Sequence, residues 1–216
     1  MGRRNLHSRE ELEDLALKAA ADIVNADGAG ALSMREVARR IGYTVGALYM
    51  IFLNLDDLIV RLNERTVAEL AQSLDAVNRK AGAPDQRLRL LAAAYLGFAL
   101  LHTHRWRLVF EHRLPDDQDA PPTYRNHTAG IFKLVSENLR HVLPKSEVRD
   151  TDQTAIALWA GIHGVCMLAV TGKLQVGGPT SVQRLLDHLL DRFIGNTPKR
   201  ASTSRRRRVT AGVQKR

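Results

Sequence analysis

The sequence predicts an all-α protein with a unit of short helices at its N-terminus and a larger helical body behind it. Three observations lead there. Apolar residues recur at helical spacing along most of the chain, while strand-like alternation never persists for more than a few residues. Serines followed three residues later by Glu mark helix starts at Ser8 and Ser33. The 216 residues are 44 % apolar but only 5 % aromatic, a balance weighted toward Ala and Leu, which favour helix.

The elements follow in order. Ser8 and Glu11 open a first helix with Leu12, Leu15, Ala16, Ala19, Ala20, Ile23 and Val24 on one face; Asp27 and Gly28 end it. Ser33 and Glu36 open a second, short helix with an apolar stripe of Met34, Val37, Ala38 and Ile41, stopped by Gly42. Thr44 caps a third, in which Val45, Leu48 and Phe52 face inward. Asn54 or Asp56 starts a long fourth helix through Leu58, Leu62, Leu70, Leu74 and Val77, broken by AGAPD at 81–85. Further helices are expected at 86–102, 104–113, 123–142, 151–172 and 180–194, with LPDDQDAPP (114–122), VLPKSEVRD (142–150) and GGPTS (177–181) between them. After Gly195 core-forming residues nearly vanish, and 196–216 reads as a disordered basic tail.

Charge and cysteine usage narrow the class. The net charge is +9, but residues 195–216 hold eight Lys or Arg and no acid, so the rest carries 9 − 8 = +1. Bulk charge therefore does not mark a binding surface. Cys166 is the only cysteine, which leaves no intramolecular disulfide framework. No run approaches the ~20 uninterrupted apolar residues of a bilayer span, and the opening MGRRNLHSREELEDL lacks the apolar core of a signal peptide. These features fit a soluble cytoplasmic protein with no membrane partner.

The stretch IGYTVGALYMIF (41–52) carries the functional signal. Two short helices joined by a tight Gly turn, behind a longer supporting helix, describe a helix-turn-helix, whose second short helix enters the DNA major groove N-terminal end first. Val45, Gly46 and Ala47 give that helix a thin leading edge, so its backbone can approach base edges closely. Thr44 can cap the helix or bond a phosphate, Val45 and Ala47 can touch thymine methyls, and Tyr49 can reach a phosphate or base edge or serve packing alone.

From about residue 10 to 58 the chain resembles the TetR family of bacterial transcriptional regulators. The resemblance rests on Ala20, Gly28, Ser33, Val37, Ala38, Ile41, Gly42, Leu48, Tyr49, Phe52 and Leu58 at the family's spacing. It implies a homodimer, a DNA-binding head at 1–55, and a helical regulatory and dimerisation body at 56–195 whose small-molecule effector commonly relieves repression. The chain departs from the family at Ile51, Leu53 and Leu55, where a polar residue, Pro and a phosphate-binding Lys are common. Backbone contacts then fall to Ser33, Arg35, Arg39, Arg40, Thr44 and Tyr49, with Arg3 and Arg4 as a flexible arm. Arg39 and Arg40 have a second reading as a solvated helix face. Ile51 and Leu55 either pack against the body or mark weakened DNA binding.

In the body, Trp159, His163 and Gly164 resemble a TetR subgroup with a Trp-His-Gly signature. Gly161 and Gly164 each cost a helix ~1 kcal/mol against Ala, which suggests close approach by another helix. The last two helices are expected to form the dimer interface, with Val182, Leu185, Leu186, Leu189, Leu190 and Phe193 suited to it. Tyr95, Phe98, Leu101, His102, Trp106, Phe110, Phe132, Trp159, His163 and Met167 are candidates to line an effector cavity, and each has the plainer reading of core. The i, i+2 spacing of His102 and His104 puts them on different faces of a helix, and no nearby Cys or carboxylate completes a metal site with His112 or His163. Cys166 reads as buried and inert. No catalytic residues and no cofactor are expected. The function expected is that of a repressor binding a palindromic double-stranded DNA operator as a dimer. The rivals are a helical small-molecule-binding protein or enzyme with weakened DNA binding, and a nonspecific DNA binder driven by the tail.

Overall fold

The computed structural model describes residues 7–80, 82–113, 119–144, 148–178 and 180–194. Arg3, Arg4 and the tail at 196–216 lie outside the described residues. Among those described, nine α-helices are joined by turns and short 3-10 segments: α1 (Arg9–Asp27), α2 (Met34–Ile41), α3 (Val45–Tyr49), α4 (Leu55–Lys80), α5 (Pro84–Leu101), α6 (Thr103–Glu111), α7 (Pro122–Val142), α8 (Thr151–Val170) and α9 (Val182–Phe193).

Local chemistry sets most of the boundaries. Ser8 Oγ accepts the Glu11 amide at 3.1 Å while Glu11 returns a carboxylate oxygen to the Ser8 amide at 2.7 Å. Ser33 caps α2 and Thr44 caps α3 in the same sense, accepting the amides of Glu36 and Ala47. Gly42 ends α2 with φ 72°, a left-handed turn that costs a residue with Cβ far more. Pro84 and Pro122 each stand at the first position of a helix, where their missing N–H costs nothing.

Two hydrophobic cores organise the helices. The first gathers Leu17, Ile23 and Val24 of α1, Val37 and Ala38 of α2, Leu48, Ile51 and Phe52 around α3, and Leu58 and Leu62 of α4. The second gathers Leu70 and Leu74 of α4, Leu88 to Ala99 of α5, Leu139, Leu158, Cys166, Leu186 and Leu190. Each fully buried aliphatic or aromatic side chain contributes ~1.5–3 kcal/mol. Two helices serve both cores: α4, and α6, which sends Trp106 into the second and Leu108 into the first.

Several expectations are corrected. α3 stops at Tyr49, so Phe52 lies in the turn beyond it, though fully buried. Ile51 is 5 % exposed and belongs to the first core, in the turn between α3 and α4. His102 and His104 do not share a helix: His102 is the residue at which α5 ends and α6 begins. Leu186 and Leu190 are wholly buried against this chain's own second core and cannot meet a partner. A Cβ on Gly161 would lie 2.8 Å from Leu189 Cδ2, so α9 does approach α8 there, whereas Gly164 faces open space.

Candidate functional site

The helix-turn-helix presents the front of α3 to solvent. Gly46 is exposed with nothing nearer to its missing Cβ than Thr44 Oγ1 at 3.8 Å, and Val45 and Ala47 are half-buried. Tyr49 is 55 % exposed. Thr44 and Ser33 use their oxygen lone pairs as caps, which leaves each hydroxyl hydrogen to donate elsewhere. The α2 cations differ from one another. Arg39 holds Glu36 in a two-point pair at 2.8 and 2.6 Å, and Arg40 stands 4.0 Å from the same carboxylate. The hydrogen bond from Arg39 keeps the Glu36 carboxyl below its ordinary range. Arg35 is exposed and makes no ion pair among the described residues.

The apolar corner after α3 divides in two. Ile51 and Phe52 are core and Leu55 packs on it, while Met50 and Leu53 are 75 % and 84 % exposed beside Tyr49. Arg61 fixes this corner from behind. It pairs with Asp57 and Glu13, and its guanidinium lies 5.2 Å from the Phe52 ring centroid. His7 Nδ1 sits 2.6 Å from the Tyr43 hydroxyl in the turn.

His104 and His112 tie α6 to the head helices, a role invisible in the sequence because their partners are dozens of residues away. His104 Nδ1 lies 3.1 Å from the carbonyls of both Val24 and Asn25, so it carries the proton and caps the open end of α1. His112 Nε2 meets Asp56 at the start of α4 at 3.0 Å. His102 accepts from Arg105, itself buried and paired with Glu69; burial and that cation hold the His102 ring below its ordinary value. Among the described residues no group of three or more His, Cys, Asp or Glu could hold a metal.

In the second core a narrow cavity of about 40 Å³ lies among α4, α5, α7 and α8, lined by Leu74, Leu91, Tyr95, Leu134, Trp159, Ile162 and other apolar residues, with no charged side chain. Of the expected lining residues only Tyr95 and Trp159 reach it. Trp106, Phe110, Phe132 and His163 instead form an aromatic cluster against its Trp159 and Tyr95 end, with His163 4.3 Å from Phe110, 5.0 Å from Trp106 and 5.2 Å from Trp159 by ring centroids. Phe98 lies tilted against His102 at the end of α5, Met167 packs on the core from α8, and Leu101 is 77 % exposed. Tyr95 and His163 share a hydrogen bond of 2.9 Å. Burial raises the Tyr95 hydroxyl above its ordinary value and lowers the His163 ring below its own, so the pair is neutral, Tyr95 donating to Nδ1. Burial likewise pushes the Cys166 thiol up to about 12 and keeps it unreactive.

Comparison with known proteins places this architecture. Residues 16–62 match the family described as bacterial regulatory proteins, tetR family, and residues 88–193 match the tetracyclin repressor-like C-terminal domain. The HTH-type transcriptional regulator Rv1816 of Mycobacterium tuberculosis is 24 % identical over 199 residues, spanning 77 % of this chain and 83 % of its own. A structure of a protein of unknown function from Rhodococcus sp. RHA1 superposes with a TM-score of 0.73 at 23 % identity, over 90 % of this chain and 98 % of the other. The crystal structure of the putative regulatory protein SCO4313 gives 0.70 at 22 %, over 90 % and 100 %. With one part of the family matched on the helix-turn-helix and another on the body, the chain belongs to the TetR family of bacterial transcriptional regulators.

Proposed function

We propose that this regulator is a ligand-responsive repressor of the subgroup with a Trp-His-Gly signature, binding a palindromic operator as a homodimer. Residues 1–55 form the head and 56–195 the body, with α4 shared between their cores. The observation that carries the DNA reading is the open leading edge of α3: Val45, Gly46 and Ala47 stand forward with Thr44 and Tyr49 beside them, and among the described residues only Thr44 Oγ1, at 3.8 Å, comes near the missing Cβ of Gly46. Ser33, Arg35, Arg40, Thr44 and Tyr49 contact phosphates, and Arg39 joins them by exchanging Glu36 for a phosphate. The rival of a body with weakened DNA binding rested on the apolar corner at 50–55. Burial of Ile51 gives that residue a packing role and removes much of the argument.

The dimer reading is supported by α8. By length and composition the helical stretch 148–170, which contains α8, is apolar enough to pass as a membrane span, yet only 22 % of its most apolar 18 residues are buried. An all-round apolar helix calls for cover. Its outward stripe of Ala157, Ala160, Gly164 and Leu168 suits a second copy packed closely.

An uncharged, largely apolar effector fits the body cavity, because neither Tyr95 nor His163 offers it a counter-ion. At about 40 Å³ the cavity must open further to admit such an effector. α6 transmits that expansion, since Trp106 lies against the aromatic cluster, Leu108 fills the head core and His104 caps α1. Coupling of ~1–3 kcal/mol is typical, and requires the effector to favour one head spacing over the other. The experiment is fluorescence anisotropy of the full chain with the DNA upstream of its own gene. Saturable binding that survives excess unrelated DNA, and is lost on Tyr49→Ala with Thr44→Ala, is expected. Binding without sequence preference sinks the reading in favour of a nonspecific binder.

A further inference from the structure

The cavity of the second core has a neighbour. An outer cavity of about 310 Å³ lies between α4 and α7, and Leu74, Ile131 and Leu134 line both. These three side chains stand between the two spaces. Both walls are described without a gap, at 55–80 and 119–144. The inner lining is almost wholly hydrocarbon. The outer one is partly polar, with Gln72 and Asp75 on α4 and Asn126 and His127 on α7. Ala68, Ala71 and Gly130 leave it room. Gly130 stands within α7, where glycine weakens a helix against alanine, yet a Cβ there would meet nothing within 4 Å among the described residues. Packing inside the chain gives no reason for that glycine; an occupied groove does.

The two spaces limit the occupant from opposite ends. The inner cavity, at about 40 Å³, is far smaller than the ~150 Å³ cavity that takes up benzene in another protein. An extended hydrocarbon chain is the narrowest apolar occupant, and it enters once Leu74, Ile131 and Leu134 turn aside. Charge selects the other end. No Lys or Arg lines the outer cavity, and its one carboxylate, Asp75, is already paired with Arg79. An ionised head drawn in by its tail would give up water for no free counter-charge among the lining residues. Gln72 and Asn126 are exposed at the rim, and each side-chain amide both donates and accepts. They match a neutral head that does the same.

We propose that the two cavities form one site for a straight-chain aliphatic molecule with a neutral hydrogen-bonding head, an alcohol or a primary amide. The tail fills the inner cavity and the head lies between Gln72 and Asn126. The assignment rests on the reading of the inner cavity as the effector site, and it names the effector's class and its way in between α4 and α7.

The test is calorimetric titration of the full chain with 1-octanol, octanoate and octylammonium at about pH 8, where the last two carry charge. 1-Octanol is expected to bind saturably, one per chain, and at least tenfold more tightly than either ion. Tryptophan emission should change over the same concentrations, because Trp159 lines the inner cavity. Asn126→Lys should tighten octanoate at least tenfold through a charged hydrogen bond. Gly130→Trp, which fills the outer cavity, should abolish octanol binding while the circular dichroism spectrum stays helical, and the exposed Asn126 variant serves if it fails to fold. No saturable octanol binding, equal affinities for the three heads, binding without a change in emission, or octanoate affinity untouched by Asn126→Lys would overturn the proposal. The titration contains no DNA. Octanol that binds in this way and leaves operator affinity unchanged sinks the effector reading and spares the site; operator release by another small molecule, without octanol binding, does the reverse.

Discussion

At the scale of single residues, His163 is the most informative. It sits among Phe110, Trp106 and Trp159 rings with its Nδ1 accepting from Tyr95, and burial lowers its affinity for a proton. The unfolded chain takes up a proton near the ordinary value of 6.5, which the folded chain resists. Stability from this group is therefore complete above pH 6.5 and falls as the solution is acidified below it, by at most ~1.4 kcal/mol per pH unit. His102 shifts in the same direction and adds to the loss. Thermal melts at pH 7.5 and 5.5 should show the lower midpoint at 5.5, with a smaller drop in His163→Gln; an equal drop would assign the effect elsewhere. Gly161 offers a second test. Its space is already occupied by Leu189, so Gly161→Val should overpack the α8–α9 contact and cost ~1–3 kcal/mol in denaturant titrations.

At the scale of elements, the helix-turn-helix shows that equal charges are not equal anchors. Arg39 is locked to Glu36, while Arg35 on the same helix is exposed without an ion pair among the described residues. Losing one phosphate contact lowers the slope of log affinity against log salt by ~0.9. Arg35→Ala should show that full change, and Arg39→Ala less, because Arg39 must first give up a carboxylate; anisotropy across a salt series measures both. This distinction was not legible in the sequence, where Arg35, Arg39 and Arg40 look alike. What was legible is what is settled within one turn of chain: the caps at Ser8, Ser33 and Thr44, the left-handed Gly42, the break after Lys80. Long-range placement was not. Ile51 looked like part of a surface corner until the turn carried it into the first core, and Leu186 and Leu190 looked like an interface until α9 turned them inward. The aromatic cluster was half-readable: composition and helical spacing nominated its members, but only packing separates Tyr95 and Trp159, which line the cavity, from Phe98 and Met167, which do not.

At the scale of the molecule, two features carry beyond the single chain. The first is the outward stripe of α8. If Ala157, Ala160 and Gly164 let a second copy approach closely, then Gly164→Trp should split the dimer without unfolding the chain, since a side chain starting at Gly164 meets nothing within 4 Å of its Cβ among the described residues. Light scattering should report a monomer, and operator affinity should fall at least tenfold as one head loses the help of the other. A dimer unchanged by Trp would place the interface elsewhere. The second feature is the distribution of charge. With the eight basic residues of 195–216 set aside, the chain carries only +1, and the head at 1–55, with seven basic and seven acidic residues, has no surplus to draw DNA from a distance. Association of a near-neutral body with a polyanion is slow and steeply dependent on a few contacts, whereas a cationic segment raises the encounter rate without reading sequence. Deleting 199–216 should therefore flatten the salt dependence and slow association in stopped-flow measurements, while the ratio of operator to unrelated-DNA affinity holds, because that ratio belongs to α3. A slope and on-rate unchanged by the deletion would leave the tail with no part in binding, and a collapse of the ratio would mean that sequence is read outside the groove-facing helix.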